Sequence, residues 1–465
     1  MYIEEIKITN LRVFAEAAAR FRHPGRISEA GERALNHPNV NLILGNNGAG
    51  KSSLLKAIAL AALGPLAEKF SPYMLVRREA LTVVPKAKQS EGKDSAWLQS
   101  QFILNWQDES PIRRKSGLGM RMPNSVQIAK NGDEEFIKCQ NHPVPPGTSG
   151  RIGSGKSARG LMGDGNWWDG IFDQKSPAFF IVGYGATRRV DTDPNASTPA
   201  QKLRSIPLRH QRVQSLFSDG YPLIWLSHWL PELRRKNPGR FKQVCNRIND
   251  VLPEEISVPA ETDESGEYLF LQHDALVPFA ALSDGCRAFI GWVADMLHHL
   301  CYGCPKDVKL VDNCGIVLVD EIDLHLHPEW QRTVLPQLAK TFPNIQFIVT
   351  SHSPIVVGTL QRENLWVTEA APAGGGSVLV QKSIGVHGLS ADQILLTEYF
   401  GLESSRAPEK QKRLKQIAAA AERKVPGKSD AFLKSLITAM EDEAEPTADV
   451  PNGKHPKSAA RRKRK

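Results

Sequence analysis

The chain has 465 residues and a formal net charge of +9; 41% of its residues are hydrophobic and 23% are charged. These values are ordinary for a folded protein, and the length allows two or three domains of about 100–200 residues each. The 36 glycines and 31 prolines exclude a chain that is mostly coiled coil. The longest apolar run, residues 57–63, is too short to cross a membrane, and the first residues lack a signal-peptide pattern. We therefore expect a cytoplasmic protein without a membrane segment.

Most of the net charge lies at one end of the chain. Residues 452–465 contain seven lysines and arginines and no acidic residue, so the other 451 residues carry only +2. Such a run predicts a disordered, solvated tail, although it can also contact the phosphates of a nucleic acid. The six cysteines do not form a disulfide pattern. The spacing of Cys301 and Cys304 matches half of a zinc site, and two reduced thiols in a loop are the alternative.

The predicted elements alternate between strands and helices. Strands are predicted, in chain order, near residues 3–8, 40–44, 97–106, 179–182, 316–319 and 345–349. Helices are predicted over residues 52–63, 216–233, 288–300 and 329–342 and, as a pair, over 409–443. The last two strands are continuous apolar runs, which are typical of parallel strands buried on both faces. The glycine-rich stretch 148–165 is predicted to be a loop.

The strand at 40–44 runs directly into a phosphate-binding motif. Residues 45–52 match the pattern Gly-x-x-x-x-Gly-Lys-Ser/Thr, and a helix follows. In such a loop the backbone N–H groups bind phosphates, Lys51 reaches the β- and γ-phosphates, and Ser52 offers its hydroxyl to Mg²⁺. The predicted nucleotide-binding residues are Gly45, Asn46, Asn47, Gly48, Ala49, Gly50, Lys51, Ser52 and Ser53. A second match at 150–157 follows prolines and precedes glycines, so we interpret it as a coincidence.

Two acidic residues follow another predicted strand. Asp320 and Glu321 come directly after the apolar run 315–319. An aspartate in this position can hold Mg²⁺, and a glutamate can orient and deprotonate an attacking water. The next strand ends at Thr350-Ser351-His352, which brings His352 within reach of a γ-phosphate. Solvated acids and a structural histidine are the alternatives. The prediction is that Glu321 and His352 are catalytic and that Ser52 and Asp320 hold Mg²⁺.

Together with the segment Leu282-Ser283-Asp284-Gly285, these motifs resemble the ATP-binding-cassette ATPases of the RecF, SMC and Rad50 branch. The resemblance implies an α/β fold: a P-loop ATPase head with a mixed or parallel central sheet, an inserted lobe and a helical C-terminal extension. In that family two heads sandwich two ATP molecules. Ser283 and Gly285 would then contact the γ-phosphate of ATP bound to a second subunit. Taken alone, the segment would be read as an ordinary helix cap.

The same resemblance extends to residues outside these motifs. The opening segment, residues 3–12, is similar to that of the family, which implies that Arg12 lies near the nucleotide. A glutamine after a strand usually senses Mg²⁺ in the family, and Gln99 and Gln101 are both candidates. His325, in the turn after Glu321, is expected at the dimer interface, with a metal ligand as the weaker alternative.

Two further segments resemble a subgroup of this branch. The Tyr184–Arg189 element and residues 384–402 look like the ATPase subunits of Septu and retron-linked antiphage systems. The resemblance implies a dimerising switch that uses ATP and Mg²⁺ and controls a separately encoded nuclease, of HNH type. An assembly larger than the homodimer and a bound nucleic acid are left open. The alternatives are a RecF-like DNA-repair ATPase and a nucleotide-binding scaffold with negligible turnover.

These observations also predict a domain organisation. The expected segments are 1–70 (first part of the head, with the phosphate loop), 71–275 (inserted lobe and helical subdomain), 276–385 (second part of the head), 386–445 (helical extension) and 446–465 (disordered basic tail).

Overall fold

The fold is described from a computed structural model. The described residues are 1–26, 34–70, 75–77, 95–105, 108, 121–131, 134–139, 180–188, 190, 208–258, 268–303, 308–372, 376–412 and 415. The chain divides into two compact units, Met1–Gly401 and Leu402–Lys465. All of the elements below belong to the first unit. The second phosphate-loop match, the predicted loop at 148–165 and most of the predicted C-terminal helices lie outside the described residues.

The elements follow one another along the chain as a mixture of strands and helices. The strands are β1 (Tyr2–Leu11), β2 (Phe14–Arg20), β3 (Val40–Gly45), β4 (Ser95–Ile103), β5 (Arg121–Asn131), β6 (Glu134–Cys139), β7 (Ile181–Tyr184), β8 (Ile256–Ser257), β9 (Leu269–Gln272), β10 (Ala275–Pro278), β11 (Gly315–Val319), β12 (Ile345–Thr350), β13 (Leu365–Ala370) and β14 (Ser377–Val380). The helices are α1 (Lys51–Leu63), α2 (Leu208–Gln214), α3 (Leu226–Lys236), α4 (Pro238–Val251), α5 (Asp284–Gly303), α6 (Pro328–Thr341), α7 (Pro354–Val357) and α8 (Ala391–Leu395).

A six-stranded sheet forms the centre of the first unit, in the order β14-β13-β3-β12-β11-β7. The five strands from β13 to β7 run parallel, and β14 pairs antiparallel with β13. Every residue of β11 and β12 is buried, which confirms the prediction of parallel strands covered on both faces. The strand order places β12 between β3 and β11, so three segments distant in sequence end side by side.

Successive side chains of these strands enter two different cores. On β3, Leu42 and Leu44 belong to one core, which also contains apolar residues of α3 to α6. Ile43, between them, belongs to the other core, with residues of α1 and of the antiparallel sheet. This alternation follows from the two-residue period of a strand. The central sheet is therefore buried between two apolar layers.

A second sheet is antiparallel, in the order β2-β1-β4-β5-β6. The register between β1 and β4 shifts between Ile3 and Glu5, which explains the imperfect alternation of the first apolar residues. The strands β4 to β6, from the segment predicted to be an inserted lobe, thus extend the sheet that β1 and β2 begin. A small sheet of β10, β9 and β8 completes the described strands. The predicted domain boundaries stay a prediction.

One predicted helix is wrong. The apolar stripe over 216–233 predicts a single helix, but residues 215–225 are not helical and α3 begins at Leu226. The sequence Gly220-Tyr221-Pro222 explains the break, because a residue before proline is pushed out of the helical conformation. The short helix α2, just before the stripe, was not predicted. None of the described helices combines the length and apolar character that a membrane span requires.

Candidate nucleotide-binding site

The phosphate loop joins the end of β3 to the start of α1. Gly45, Gly48 and Gly50 all adopt positive φ angles, of 142°, 78° and 102°. A Cβ on Gly45 would lie 2.0 Å from Thr368 Oγ1, whereas a Cβ on Gly48 would meet nothing within 4 Å. The loop is therefore packed tightly against β13 at one end and open at Gly48. No side chain caps the N-terminus of α1, so its first N–H groups can bind phosphate oxygens.

Lys51 is folded back across its own loop. Its Nζ donates to the carbonyl oxygens of Gly45 at 2.8 Å and Asn46 at 3.2 Å, and the residue is 7% exposed. Burial lowers the pKa of the Lys51 ammonium below its usual value, while the carboxylates of Asp320 and Glu321 oppose the shift. The ammonium is thus held against the carbonyl groups of the loop, close enough to the predicted Mg²⁺ ligand and base to feel their charge.

Asp320 and Glu321 follow β11, as predicted, and contact the end of β12. The Thr350 hydroxyl donates to Asp320 Oδ1 at 2.6 Å and accepts from the Glu321 N–H at 2.7 Å. Asp320 is 8% exposed, and Glu321 is half-buried with a positive φ of 49°. The two carboxylates therefore leave the sheet on a tightly hydrogen-bonded turn beside the tip of β12.

Three buried polar atoms around this turn have no hydrogen-bond partner among the residues that the structure describes. They are Arg188 Nε, Asp323 Oδ1 and His352 Nε2, which belong to segments after β7, β11 and β12. Unpaired polar atoms in the interior are costly, so their grouping at the ends of neighbouring strands needs an explanation. Ordered water can satisfy all three atoms, and a phosphate oxygen can accept from the ring nitrogen of His352. Together with the open glycine loop, these polar atoms suit the binding of a nucleoside triphosphate with Mg²⁺.

Arg12 lies beside the first turn of α1. Its Nη1 is 3.5 Å from the Ser53 hydroxyl, and its φ is 45°. Burial lowers the pKa of the guanidinium, and the carboxylate of Glu135 opposes that shift. Arg12 therefore lies next to the phosphate-loop helix, and its approach to a nucleotide stays a prediction.

The segment Leu282-Ser283-Asp284-Gly285 leads into the start of α5. The Ser283 hydroxyl is exposed and accepts from the Cys286 N–H at 3.3 Å, which is the geometry of a helix cap. Gly285 is buried, and a Cβ there would lie 2.1 Å from the carbonyl oxygen of His325. Gly285 thus packs within its own chain against the turn that follows Glu321. The predicted contacts of Ser283 and Gly285 with ATP of a second subunit stay a prediction.

The remaining candidates are dispersed. Gln99 is exposed and Gln101 half-buried on β4, and nothing selects one of them as a Mg²⁺ sensor. His325 is exposed with a φ of 64°. Cys301 lies in the last turn of α5, and Cys304 falls outside the described residues. Across the part of the chain that the structure describes, no group of three or more histidine, cysteine or acidic side chains forms a metal-binding cluster.

Sequence reasoning missed two residues of the site. Arg188 donates from Nη2 to the Glu321 carbonyl oxygen, and Thr350 bonds both Asp320 and Glu321. The sequence contains a signal for each, because Arg188 lies in the element that carries the subgroup resemblance and Thr350 ends the strand before His352. Neither signal says what the side chain contacts.

The central sheet and the phosphate loop together identify the chain as a P-loop ATPase with an α/β fold. Two segments of the chain match AAA family models. Residues 5–84 match a model described as "AAA domain", and residues 201–358 match one described as "AAA domain, putative AbiEii toxin, Type IV TA system".

Curated relatives match parts of the chain. It is 25% identical over 363 residues to the Septu protein PtuA of Bacillus mycoides (strain KBAB4), covering 78% of this chain and 40% of the relative. It is 50% identical over 86 residues to the Retron Ec83 probable ATPase of Escherichia coli, covering 18% of this chain and 16% of the relative. The chain therefore spans less than half the length of either relative. Among solved structures, the SMC head bound to the C-winged helix domain of ScpA matches with a TM-score of 0.45 and 14% identity, covering 83% of this chain and 99% of that one.

Proposed function

We propose that this chain binds and hydrolyses ATP and acts as a dimerising switch that controls a partner nuclease in prokaryotic antiphage defence. One observation carries the proposal. Three neighbouring strands, β3, β12 and β11, end in the phosphate loop, in the His352 segment and in Asp320–Glu321. Binding groups for phosphate, a metal ligand and a candidate base therefore meet at one edge of the sheet. Similarity to proteins named Septu PtuA and retron ATPases supports the defence role.

The loop residues bind the triphosphate in this proposal. The N–H groups between Gly45 and Ser52 and the uncapped start of α1 bind phosphate oxygens. Lys51 exchanges its carbonyl partners for the β- and γ-phosphates. Ser52 and Asp320 are the residues that would hold Mg²⁺, which neutralises phosphate charge when bound.

Glu321 and His352 act on the γ-phosphate side. The Glu321 carboxylate orients the attacking water and accepts its proton. His352, with its buried and unpartnered Nε2, has a ring nitrogen ready to hydrogen-bond the γ-phosphate or that water. The lysine and histidine hold the transferred group in place while the carboxylate takes up the proton.

Dimerisation uses the start of α5. Ser283 is exposed there, at the positive end of a helix of 20 residues. In the proposed sandwich this helix end of one subunit faces the γ-phosphate held by the phosphate loop of the other. ATP then joins the heads and hydrolysis releases them, and the partner nuclease responds to the change.

The proposal is tested with Glu321→Gln. We expect a fall in multiple-turnover ATP hydrolysis of about 10²–10⁴-fold, which is the usual contribution of a general base. The same variant should accumulate ATP-bound dimers in analytical ultracentrifugation. Lys51→Ala is the matched control, because it should abolish both ATP binding and dimer formation.

Other outcomes count against parts of the proposal. Unchanged turnover in Glu321→Gln would rule out Glu321 as the base, and monomers with bound ATP would contradict the sandwich. Turnover stimulated several-fold by DNA would favour the repair alternative. Wild-type protein that binds ATP without multiple turnover would favour the scaffold alternative.

A further inference from the structure

We propose that Arg188 is a positioning residue for ATP hydrolysis, which acts together with Thr350 by fixing the peptide group of Glu321 and thereby aiming its carboxylate. The inference rests on the proposed function, since Glu321 needs aiming only if it is the base of a hydrolytic site. Arg188 belongs to the loop that follows β7, and β7 pairs with β11 up to the pair Tyr184–Val319. The loop therefore emerges beside the turn that carries Glu321.

Arg188 is buried, and no carboxylate of the described residues is its hydrogen-bond partner. It is 4% exposed, its Nη2 donates to the main-chain carbonyl of Glu321, and its Nε has no partner within the described part of the chain. Burial lowers the pKa of the guanidinium to about 10, and the nearby carboxylates, Asp320 foremost, oppose the shift. Burying an arginine is unfavourable unless it is well paired. A buried arginine that bonds the backbone of the candidate base is better explained by the placement of that base than by charge balance alone.

Thr350 holds the other side of the same residue. Its hydroxyl accepts from the Glu321 N–H at 2.7 Å, and its carbonyl accepts from the Ile322 N–H at 2.9 Å. The same hydroxyl donates to Asp320 Oδ1 at 2.6 Å. The N–H of Glu321 is thus fixed from β12. Its carbonyl accepts from Arg188 of the loop after β7 and, at 3.1 Å, from the Leu324 N–H of its own turn. Together these two side chains form what we call the Glu321 clamp.

The backbone of Glu321 needs this clamp. Its φ of 49° lies in the left-handed region. This conformation is unfavourable for a glutamate and persists only where surrounding contacts hold the backbone in place. The conformation turns the residue away from the line of β11. If one half of the clamp is removed, the peptide can relax towards an extended conformation and the carboxylate moves with it. Turnover should fall, while the phosphate loop keeps its own contacts and its affinity for ATP.

The first test is Arg188→Met, with Arg212→Met as the matched control. Arg212 is 2% exposed, and its guanidinium lies 5.1 Å from the Phe180 ring centroid, so both substitutions remove a buried guanidinium. Arg188→Met should lower kcat about 10–100-fold, because misplacing a catalytic group by about 1 Å can slow the reaction about 100-fold. KM for ATP and ATP affinity should stay nearly unchanged. Folded Arg212→Met should keep a kcat close to that of wild type. An unchanged kcat in Arg188→Met, or a change confined to KM, would overturn the inference.

A double variant separates positioning from a direct role. If Arg188 acts through Glu321, Arg188→Met should cause little further loss of turnover in a Glu321→Gln background. A loss as large as in the wild-type background would show that Arg188 acts independently, which refutes the clamp.

Variants of Thr350 provide a test that can still be carried out if Arg188→Met does not fold. Thr350→Val removes the hydroxyl at nearly constant shape and should lower kcat, whereas Thr350→Ser keeps the hydroxyl and most of the turnover. Equal turnover in the two variants would overturn the inference. If wild-type protein shows no multiple turnover, the proposed function fails and the clamp fails with it. If wild type turns over and both Arg188→Met and Thr350→Val do so equally well, only the clamp fails.

Discussion

Replacing Gly45 by alanine tests whether the phosphate loop is held in place by its contact with β13. Gly45 pairs with Thr368 of that strand at a φ of 142°. An added Cβ would lie 2.0 Å from Thr368 Oγ1 and 2.6 Å from the Thr368 carbonyl oxygen. The threonine cannot rotate away without losing its hydrogen bond to the Leu44 carbonyl, at 3.0 Å, and the second clash is with backbone. Either the strand or the loop must therefore move.

The expected cost has two parts. The positive φ of an alanine at position 45 should cost about 1–3 kcal/mol of unfolding free energy. The clash should add about 1–3 kcal/mol, as overpacking in a tight core does. Gly48→Ala provides the control, because Gly48 has a φ of 78° and nothing within 4 Å of an added Cβ. That variant should lose only about 1–2 kcal/mol, the cost of the backbone conformation.

The assay is urea unfolding of both variants, followed by tryptophan fluorescence, with ATP binding measured alongside. Gly45→Ala should unfold at a lower urea concentration than Gly48→Ala, and the difference between the two reports the clash with Thr368. Gly45→Ala should also bind ATP more weakly, because the loop shifts with the backbone. If Gly45→Ala proves no less stable than Gly48→Ala, the proposed tight contact between the loop and β13 is wrong.

Two further predictions concern groups outside the loop. Gly285→Ala should displace the turn at His325, because the added Cβ would lie 2.1 Å from that carbonyl oxygen; we expect a loss of about 1–3 kcal/mol in urea unfolding, and unchanged stability would contradict it. Burial raises the pKa of the Asp295 carboxyl to about 6, although the Ile224 N–H and the Tyr184 hydroxyl donate to it. The stability that the protonated carboxyl contributes is present below pH 4 and is lost as the pH rises through about 6. Relative to Asp295→Asn, the wild type should therefore lose about 2 kcal/mol of unfolding free energy between pH 4 and 7, and parallel pH profiles would refute this.

Contiguous motifs were the predictable part of the site. The segment from Gly45 to Ser52 carries its binding groups in a single loop, and its flanking strand and helix are visible as an apolar run and a helical composition. Asp320, Glu321 and His352 were predicted for the same reason, since all three lie within two residues of the end of a continuous apolar strand. Their roles stay predictions. The stripe over 216–233 predicts the wrong element because helical periodicity alone does not reflect the break at Pro222.

Other features depend on which strands become neighbours. No local pattern predicts that β12 inserts between β3 and β11, which brings the three motifs together. Gly285 illustrates the same limit, because the sequence suggested a phosphate contact and the structure adds a packing contact with His325. Its role towards a second subunit stays a prediction.

The sequence by itself located the candidate groups of the site: the phosphate loop, the predicted metal ligand and base, and His352, each at the end of a strand that local periodicity reveals. Only the tertiary structure decided how these groups are held. Arg188 and Glu321 lie 133 residues apart and meet because β7 pairs with β11, and Thr350 reaches the same turn because β12 lies on the other side. The physical reason is that a hydrogen bond to a main-chain carbonyl or N–H leaves no signature in the identity of the residue that receives it.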